Sequence, residues 1–120
     1  MDLSLMGGKS TFSLKKSKSC SHFFINCIKE GDLDALILFF TVHQDVDLNN
    51  IRISKDDSLL HYLAGKHITN PPETYECLRI LVEEGLDIFM QDANGDTPMI
   101  VAMKFSNMQM IEILLDLSLL

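Results

Sequence analysis

The chain has 120 residues, a length that fits one domain, and 47% of them are apolar while 22% are charged. This composition excludes a disordered acidic tail, and the longest apolar run, residues 35–40, is too short to cross a bilayer. The net charge of −7 argues against nucleic acid or an anionic lipid surface as the partner of the folded part, because both carry the same sign.

Residues 1–20 are predicted to form a flexible basic leader. Four Lys residues against Asp2 give this segment a charge of +3, whereas the other hundred residues carry −10. The leader lacks the apolar stretch of a signal peptide, and its Gly, Ser and Lys residues show no useful period. Gly7 to Thr11 look like the end of a phosphate-binding loop, but Leu3 stands where that loop requires Gly. The flexible leader is therefore the favoured interpretation.

From residue 22 onward the apolar residues follow a helical period. Leu33, Leu36, Ile37 and Phe40, for example, have the i, i+3, i+4, i+7 spacing of one helix face. No stretch alternates apolar and polar residues long enough to predict a sheet, so we expect an all-α body. Short helices are predicted near 22–30, 59–66 and 98–105, and longer helices near 32–42, 73–84 and 107–117.

The predicted helices come in pairs that repeat along the chain. Phe24, Leu60 and Met99, which anchor the short helices, lie 36 and 39 residues apart. A period in this range, built from one helix pair and a turn, is typical of a repeat architecture. The middle pair carries an insertion at 67–72 with two prolines, which we expect to protrude as a mobile loop because proline does not continue a helix.

The residues at this period resemble the ankyrin repeat family. Asp92 to Ala102, with the sequence DANGDTPMIVA, is similar to the family's D-x-x-G-x-T-P-L-H-x-A, and the second unit keeps Ser58, Leu60 and His61. The resemblance covers about 22–118 and departs from the family at Ile100, which replaces the His. It implies an ankyrin-type helix-turn-helix repeat solenoid with short hairpin-like turns between repeats. The domain would span 21–120, with three divergent repeats at about 21–52, 53–91 and 92–120.

Two groups of residues resemble metal sites but lack the residues or the spacing that such sites require. Asp92, Asn94 and Asp96 resemble the opening of a calcium loop, but Thr97 and Met103 stand where the loop requires Gly and Glu. A repeat turn is therefore predicted there. Cys20, His22, Cys27 and His43 lack standard zinc spacing, and Cys27 and Cys77 fall at apolar helix positions, where a free Cys behaves as a small hydrophobe. We predict neither a metal nor a cofactor.

No set of nucleophile, base and orienting residue recurs in the sequence, so we predict that the chain is not an enzyme. By its resemblance, His61 has a structural role and bonds loop and cap groups. An enzyme whose site is completed by a separate partner domain has no support in the sequence. The predicted function is a non-catalytic protein–protein interaction module that uses the concave face of the solenoid.

The family resemblance places contact positions on the turn tips and the exposed sides of the short helices. Lys29 and Glu30 would extend this surface. Phe105 is of special interest, since an exposed aromatic side chain anchors interfaces, although covering a neighbouring loop is an equally good explanation. The predicted partner-binding residues are Lys55, Asp57, Lys66, Ala93, Asn94, Asp96, Lys104 and Phe105.

The alternative function is nucleic-acid or anionic-surface binding through the Lys-rich leader, which the acidic body opposes. Otherwise we expect an unidentified protein partner, no nucleic acid and no membrane. An odd number of cysteines without a C-x-x-C pair suits a reducing compartment, which predicts an intracellular, cytoplasmic protein. By analogy with similar ankyrin-like chains, secretion into a host cell stays open.

The last unit ends in a Leu-rich sequence without a polar capping helix. Because each unit of a solenoid buries its apolar side on the next, one flank of the third unit should expose apolar side chains, with Leu114, Leu117 and Leu120 among them. Self-association through this uncapped flank is one expected consequence. A bound partner and a longer natural protein are the alternatives.

Overall fold

The computed structural model describes residues 17–54 and 57–120, and in this part of the chain six α-helices form three consecutive pairs. The predicted alternation of helix pairs is confirmed. Two short strands pair antiparallel just before the third helix and are the whole sheet content of the described residues. In chain order the elements are α1 (Ser17–Glu30), α2 (Leu33–Val42), a 3₁₀ turn (Leu48–Asn50), β1 (Arg52–Ser54), β2 (Asp57–Ser58), α3 (Leu59–Ala64), α4 (Pro71–Glu83), α5 (Pro98–Lys104) and α6 (Met108–Ser118).

Five of these helices begin and end within two residues of the predicted positions, but α1 does not. It begins at Ser17 rather than near residue 22, so the predicted short helix of the first unit is the longest helix described. The predicted start rested on a change in composition, whereas no Gly or Pro between residue 9 and Glu30 interrupts a helix. The other residues of the predicted leader, 1–16, lie outside the described part of the chain.

Capping residues mark the ends of several helices. The Oγ1 atom of Thr97 accepts a hydrogen bond from the backbone N–H of Ile100 at 3.3 Å, and Pro98 occupies the first helical position, where its missing N–H costs nothing. Gly31 and Gly85 end α1 and α4 with φ of 67° and 112°, a backbone conformation that side chains with a Cβ rarely adopt. These residues fix the lengths of the helices.

The insertion at 67–72 does not protrude as predicted. Ile68 is buried in the core, and Pro71 and Pro72 are the first two residues of α4 rather than loop residues. The amide of Asn107 donates to the carbonyl oxygens of Ala64 and Lys66, at 2.9 and 2.8 Å, and so ties the start of this loop to the third unit. The prediction was wrong because proline is unfavourable in the interior of a helix but favourable in its first turn.

The hydrophobic core lies between neighbouring units. Helices α3 and α5 contact each other, as do α4 and α6, and α4 also contacts α1 and α2. Burial increases from the first unit to the third at one equivalent position of the longer helices. There, Leu38 is exposed, Ile80 is half-buried and Ile113 is buried. Each unit therefore covers apolar residues of the next one along the chain.

The expected apolar flank of the third unit is present, although two of its named residues are not part of it. Leu120 is exposed, together with Leu115 and Leu119. Leu114 and Leu117 are buried instead. They lie one turn apart on the inner face of α6, which packs against α4 and α5, so the prediction assigned them to the wrong face.

Candidate interaction groove

A groove of about 430 Å³ lies along α3, α5 and the turn that precedes α5. It brings together six of the eight predicted partner-binding residues: Asp57, Lys66, Asn94, Asp96, Lys104 and Phe105. Ala93 is exposed in the same turn but does not line the groove, and Lys55 lies outside the described residues. Lys29 and Glu30 are exposed at the end of α1 and do not line the groove.

The turn at 92–96 is closed by two backbone hydrogen bonds, from Asp92 N–H to Asp96 O and from Gly95 N–H to Asp92 O, and by the carboxylate of Asp92. The Oδ1 atom of Asp92 accepts hydrogen bonds from the backbone N–H groups of Asn94 and Asp96, both at 2.9 Å. The backbone N–H of Asp96, with a smaller contribution from that of Asn94, lowers the pKa of the Asp92 carboxyl, because these bonds favour its charged form. Gly95 has a φ of 80° and completes the turn. This carboxylate is thus engaged by the backbone, in agreement with the predicted repeat turn.

The buried side chain of His61 connects α3 to the turn that lines the groove. Its Nε2 atom donates to the carbonyl oxygen of Asp96 at 2.8 Å, since a carbonyl can only accept, and its Nδ1 atom lies 2.6 Å from the hydroxyl of Ser58. Ser58 also caps α3 by accepting from the backbone N–H of His61. The side chain is buried and ties the second unit to the turn of the third. The predicted structural role of His61 is confirmed.

Both described lysines of the groove have intramolecular partners. Lys104 forms an ion pair with Asp96, with 2.5 Å between Nζ and Oδ2, and this hydrogen bond raises the pKa of the Lys104 ammonium. Nζ of Lys66 lies 4.9 Å from the centroid of the Tyr62 ring, a cation–π distance. Asp57, in contrast, forms no ion pair with another described residue. Among the described residues, the groove therefore combines a carboxylate outside any ion pair with one ion-paired lysine and one lysine that lies over an aromatic ring.

Phe105 forms the apolar edge of the groove. Its side chain is 65% exposed, and a Cβ atom on Gly65 would lie only 3.5 Å from the ring, so one part of the ring packs on the backbone after α3. Phe105 also lines a second cavity of about 380 Å³ with His67 and Asn107. Phe105 thus packs on the neighbouring loop while most of its surface stays exposed.

Tyr62 and Gly65 line the groove, although neither is among the predicted contact residues. Tyr62 precedes Lys66 by four residues, and side chains at this spacing share one helix face. The spacing was a usable signal for Tyr62. For Gly65 there was no such signal, because its role depends on the ring of a residue forty positions later.

The described residues contain no group of three or more His, Cys, Asp or Glu side chains placed to hold a metal ion. Cys27 and Cys77 are buried in α1 and α4, where burial raises the pKa of each thiol to about 11, and the Cys77 thiol donates to the Cys27 carbonyl oxygen at 3.6 Å. They behave as the predicted small hydrophobes. None of the described helices is long and apolar enough to cross a membrane.

Comparisons with known proteins place the chain among repeat proteins. A family model described as ankyrin repeats, with three copies, matches residues 24–119. The target of rapamycin complex 2 subunit AVO2 of Saccharomyces cerevisiae is 34% identical over 50 residues, which cover 42% of this chain and 12% of the yeast protein. The matched part is thus about an eighth of the length of that relative. No solved structure matches the chain.

Proposed function

The chain belongs to the ankyrin repeat family, and we propose that it is a non-catalytic protein–protein interaction module whose three units stack into a short solenoid. Repeats of this family are generally interaction modules. In this proposal the groove along α3 and α5 lies on the concave face and binds a protein partner. The whole protein would act in the cytoplasm, for which the two buried free thiols are suitable.

The observation that carries the proposal is the exposed aromatic ring of Phe105 at the edge of a polar groove. Exposed aromatic side chains are enriched among the residues that contribute most to binding, and they act where surrounding groups exclude water. Here Asp57 and Lys66 lie in the same groove as the ring. A partner segment with an apolar side chain against Phe105 and polar groups on either side would fit this arrangement.

The packing of the groove supports binding without rearrangement. The turn at 92–96 is fixed by the hydrogen bonds of Asp92, and His61 connects that turn to α3. A surface that is ordered before binding loses little entropy on association, which increases affinity. The name of the yeast relative describes a subunit of a protein complex, which is consistent with an assembly role.

The test compares two variants with nearly equal exposed area. Phe105→Ala removes the proposed anchor, whereas Phe89→Ala removes a ring that is equally exposed but lies outside the groove. Proteins captured from cell lysates by the unchanged chain should be retained by Phe89→Ala and lost by Phe105→Ala. With a purified partner, the loss of a dominant anchor should increase the dissociation constant about thirty-fold.

Equal capture by the two variants would contradict the groove as the binding surface. Capture of nucleic acid or anionic vesicles by the unchanged chain, lost when the lysines of residues 1–16 are replaced, would instead favour the alternative function of the leader. Far-UV circular dichroism of each variant checks that the helices are retained.

A further inference from the structure

Helix α2 is apolar on its outer face as well as on its inner one. Leu36 and Phe40 face the core, yet Ile37, Leu38 and Val42 are exposed, and only two of the ten residues of the helix are polar. The repeat fold does not require this, because the position of Ile37 is occupied by a charged residue in both α4 and α6. An exposed apolar face of this kind indicates a surface that something covers.

The exposed face continues into a groove of about 380 Å³ between α2 and α4. Ile37, Phe40 and Ile80 give the groove an apolar lining, and Glu83 and Glu84 form its acidic rim. Arg79 is the one basic residue among the described lining residues, and its guanidinium already donates to Glu83 at 2.8 Å and to Glu76 on its other side. The groove thus combines an apolar lining with excess negative charge.

We propose that residues 9–16 of this chain bind to the outer face of α2 and in the α2–α4 groove. The segment has the sequence KSTFSLKK, with three Lys residues, no acidic residue, and two apolar side chains, Phe12 and Leu14. Its composition complements both properties of the groove. A second copy of the chain fits less well, since a symmetric contact would bring the acidic rims of two copies together.

The geometry of α1 brings this segment to the groove. Helices α1 and α2 are joined by a two-residue turn, and Phe23 of α1 stacks on Phe39 of α2 with 4.9 Å between ring centroids. The helices are therefore antiparallel, and Ser17 lies six residues, or about 9 Å along the axis, beyond these rings on the side of Val42. Five extended residues span about 17 Å, enough to reach back from Ser17 to Ile37.

Because the segment is part of the same chain, its binding is intramolecular. Short connections give effective concentrations in the millimolar range, so even a weak contact is populated. Docking of the segment would cover Ile37 and Val42 with Phe12 and Leu14 and would place lysines near Glu84, which forms no ion pair with another described residue. The proposal does not depend on the function proposed for the groove along α3 and α5.

Photo-cross-linking of the full chain tests the proposal. A benzophenone amino acid is introduced at position 37, and in a matched control at position 115, because Ile37 and Leu115 are 54% and 53% exposed on different units. We expect a cross-link from position 37 to a peptide of residues 1–16 at monomer mass, independent of concentration. Position 115 should give no such product. Absence of the product at position 37, or cross-linked dimers in its place, would overturn the proposal.

Charge reversal gives a second, independent measurement. Lys15→Glu with Lys16→Glu should lower the yield of the cross-link about two- to five-fold per disrupted pair, the range for exposed ion pairs. Combination with Glu83→Lys and Glu84→Lys should restore the yield. If the cross-link yield were unchanged by the two lysine variants and by their combination with the two glutamate variants, the charge complementarity on which the proposal depends would be contradicted. Far-UV circular dichroism confirms that each variant is folded.

Discussion

Asn107 is predicted to hold the third unit against the loop that follows α3. Its amide nitrogen donates to the carbonyl oxygens of Ala64 and Lys66, while its Oδ1 atom caps α6 by accepting from the backbone N–H of Met110 at 3.2 Å. Asn107→Asp keeps the capping oxygen and removes both donors. It also places a carboxylate beside two carbonyl oxygens, which is unfavourable because all of these atoms only accept hydrogen bonds.

The expected loss follows from the two donors. Each hydrogen bond contributes about 0.5–1.5 kcal/mol net, so the substitution should lower the free energy of unfolding by about 1–3 kcal/mol. Asn107→Ala also removes the cap, which costs about 1 kcal/mol, but it avoids the contact between a carboxylate and the two carbonyl oxygens. With a denaturant dependence of about 1–3 kcal/mol per molar, the urea midpoint of the Asp variant should fall by roughly 1 M.

Urea unfolding followed by far-UV circular dichroism measures this difference. Asn94→Ala is the matched control, because Asn94 lies in an exposed turn and its side chain forms no hydrogen bond with another described residue. The control should change the free energy of unfolding by less than about 0.5 kcal/mol. If Asn107→Asp were as stable as the unchanged chain, the inferred attachment of the loop would be refuted.

Three further predictions concern the core, the thiols and the groove turn. Ile68→Ala should lower the free energy of unfolding by about 2–4 kcal/mol in urea titrations, because the side chain is buried and leaves a cavity. In a Cys20→Ser chain, Cys27 and Cys77 should react with a thiol reagent at pH 8 only after unfolding, since each has a pKa of about 11 and is buried. The lowered pKa of Asp92 stabilises the fold above the pKa of the unfolded chain, and this contribution is lost as the pH falls through the folded value. Thermal unfolding of Asp92→Asn should consequently depend less on pH below about pH 4 than that of the unchanged chain.

Each of these expectations has a contrary outcome. A loss below about 0.5 kcal/mol for the Ile68 variant would mean that the loop is not anchored in the core. Rapid labelling of both thiols in the folded chain would contradict their burial. For Asp92, identical acid unfolding of the variant and the unchanged chain would show that its carboxylate bonds contribute nothing to stability.

The sequence predicted the repeat architecture well because its signals are local. Thr97 and Pro98 mark a helix start by a cap and a fixed φ, and Gly31 marks an end, so each boundary depends on a few adjacent residues. The helical period of the apolar residues identified the second helix of each pair in the same way. The groove residues followed from the family's pattern, and the structure brings six of them together.

The errors arose where the outcome depended on distant partners. Ile68 was assigned to a free loop because no local pattern shows that it is buried. Leu117 was assigned to the exposed flank, although its contacts with the other helices make it part of the inner face of α6. Gly65 belongs to the groove through the ring of Phe105 in the third unit, which only the packing of the units establishes. The start of α1 was missed because a compositional boundary was taken for a structural one.

The most direct test of the interaction-module account is a chemical-shift titration. The isotopically labelled chain is titrated with a partner captured by the unchanged chain and lost by Phe105→Ala, and the shifted backbone amides are mapped on the structure. The account predicts that the largest shifts cluster at the groove, at Asp57, Lys66, Asp96 and Lys104, while the amides of α2 and α6 change little. Shifts concentrated on α2 and α6 instead, with the groove unchanged, would contradict the central claim.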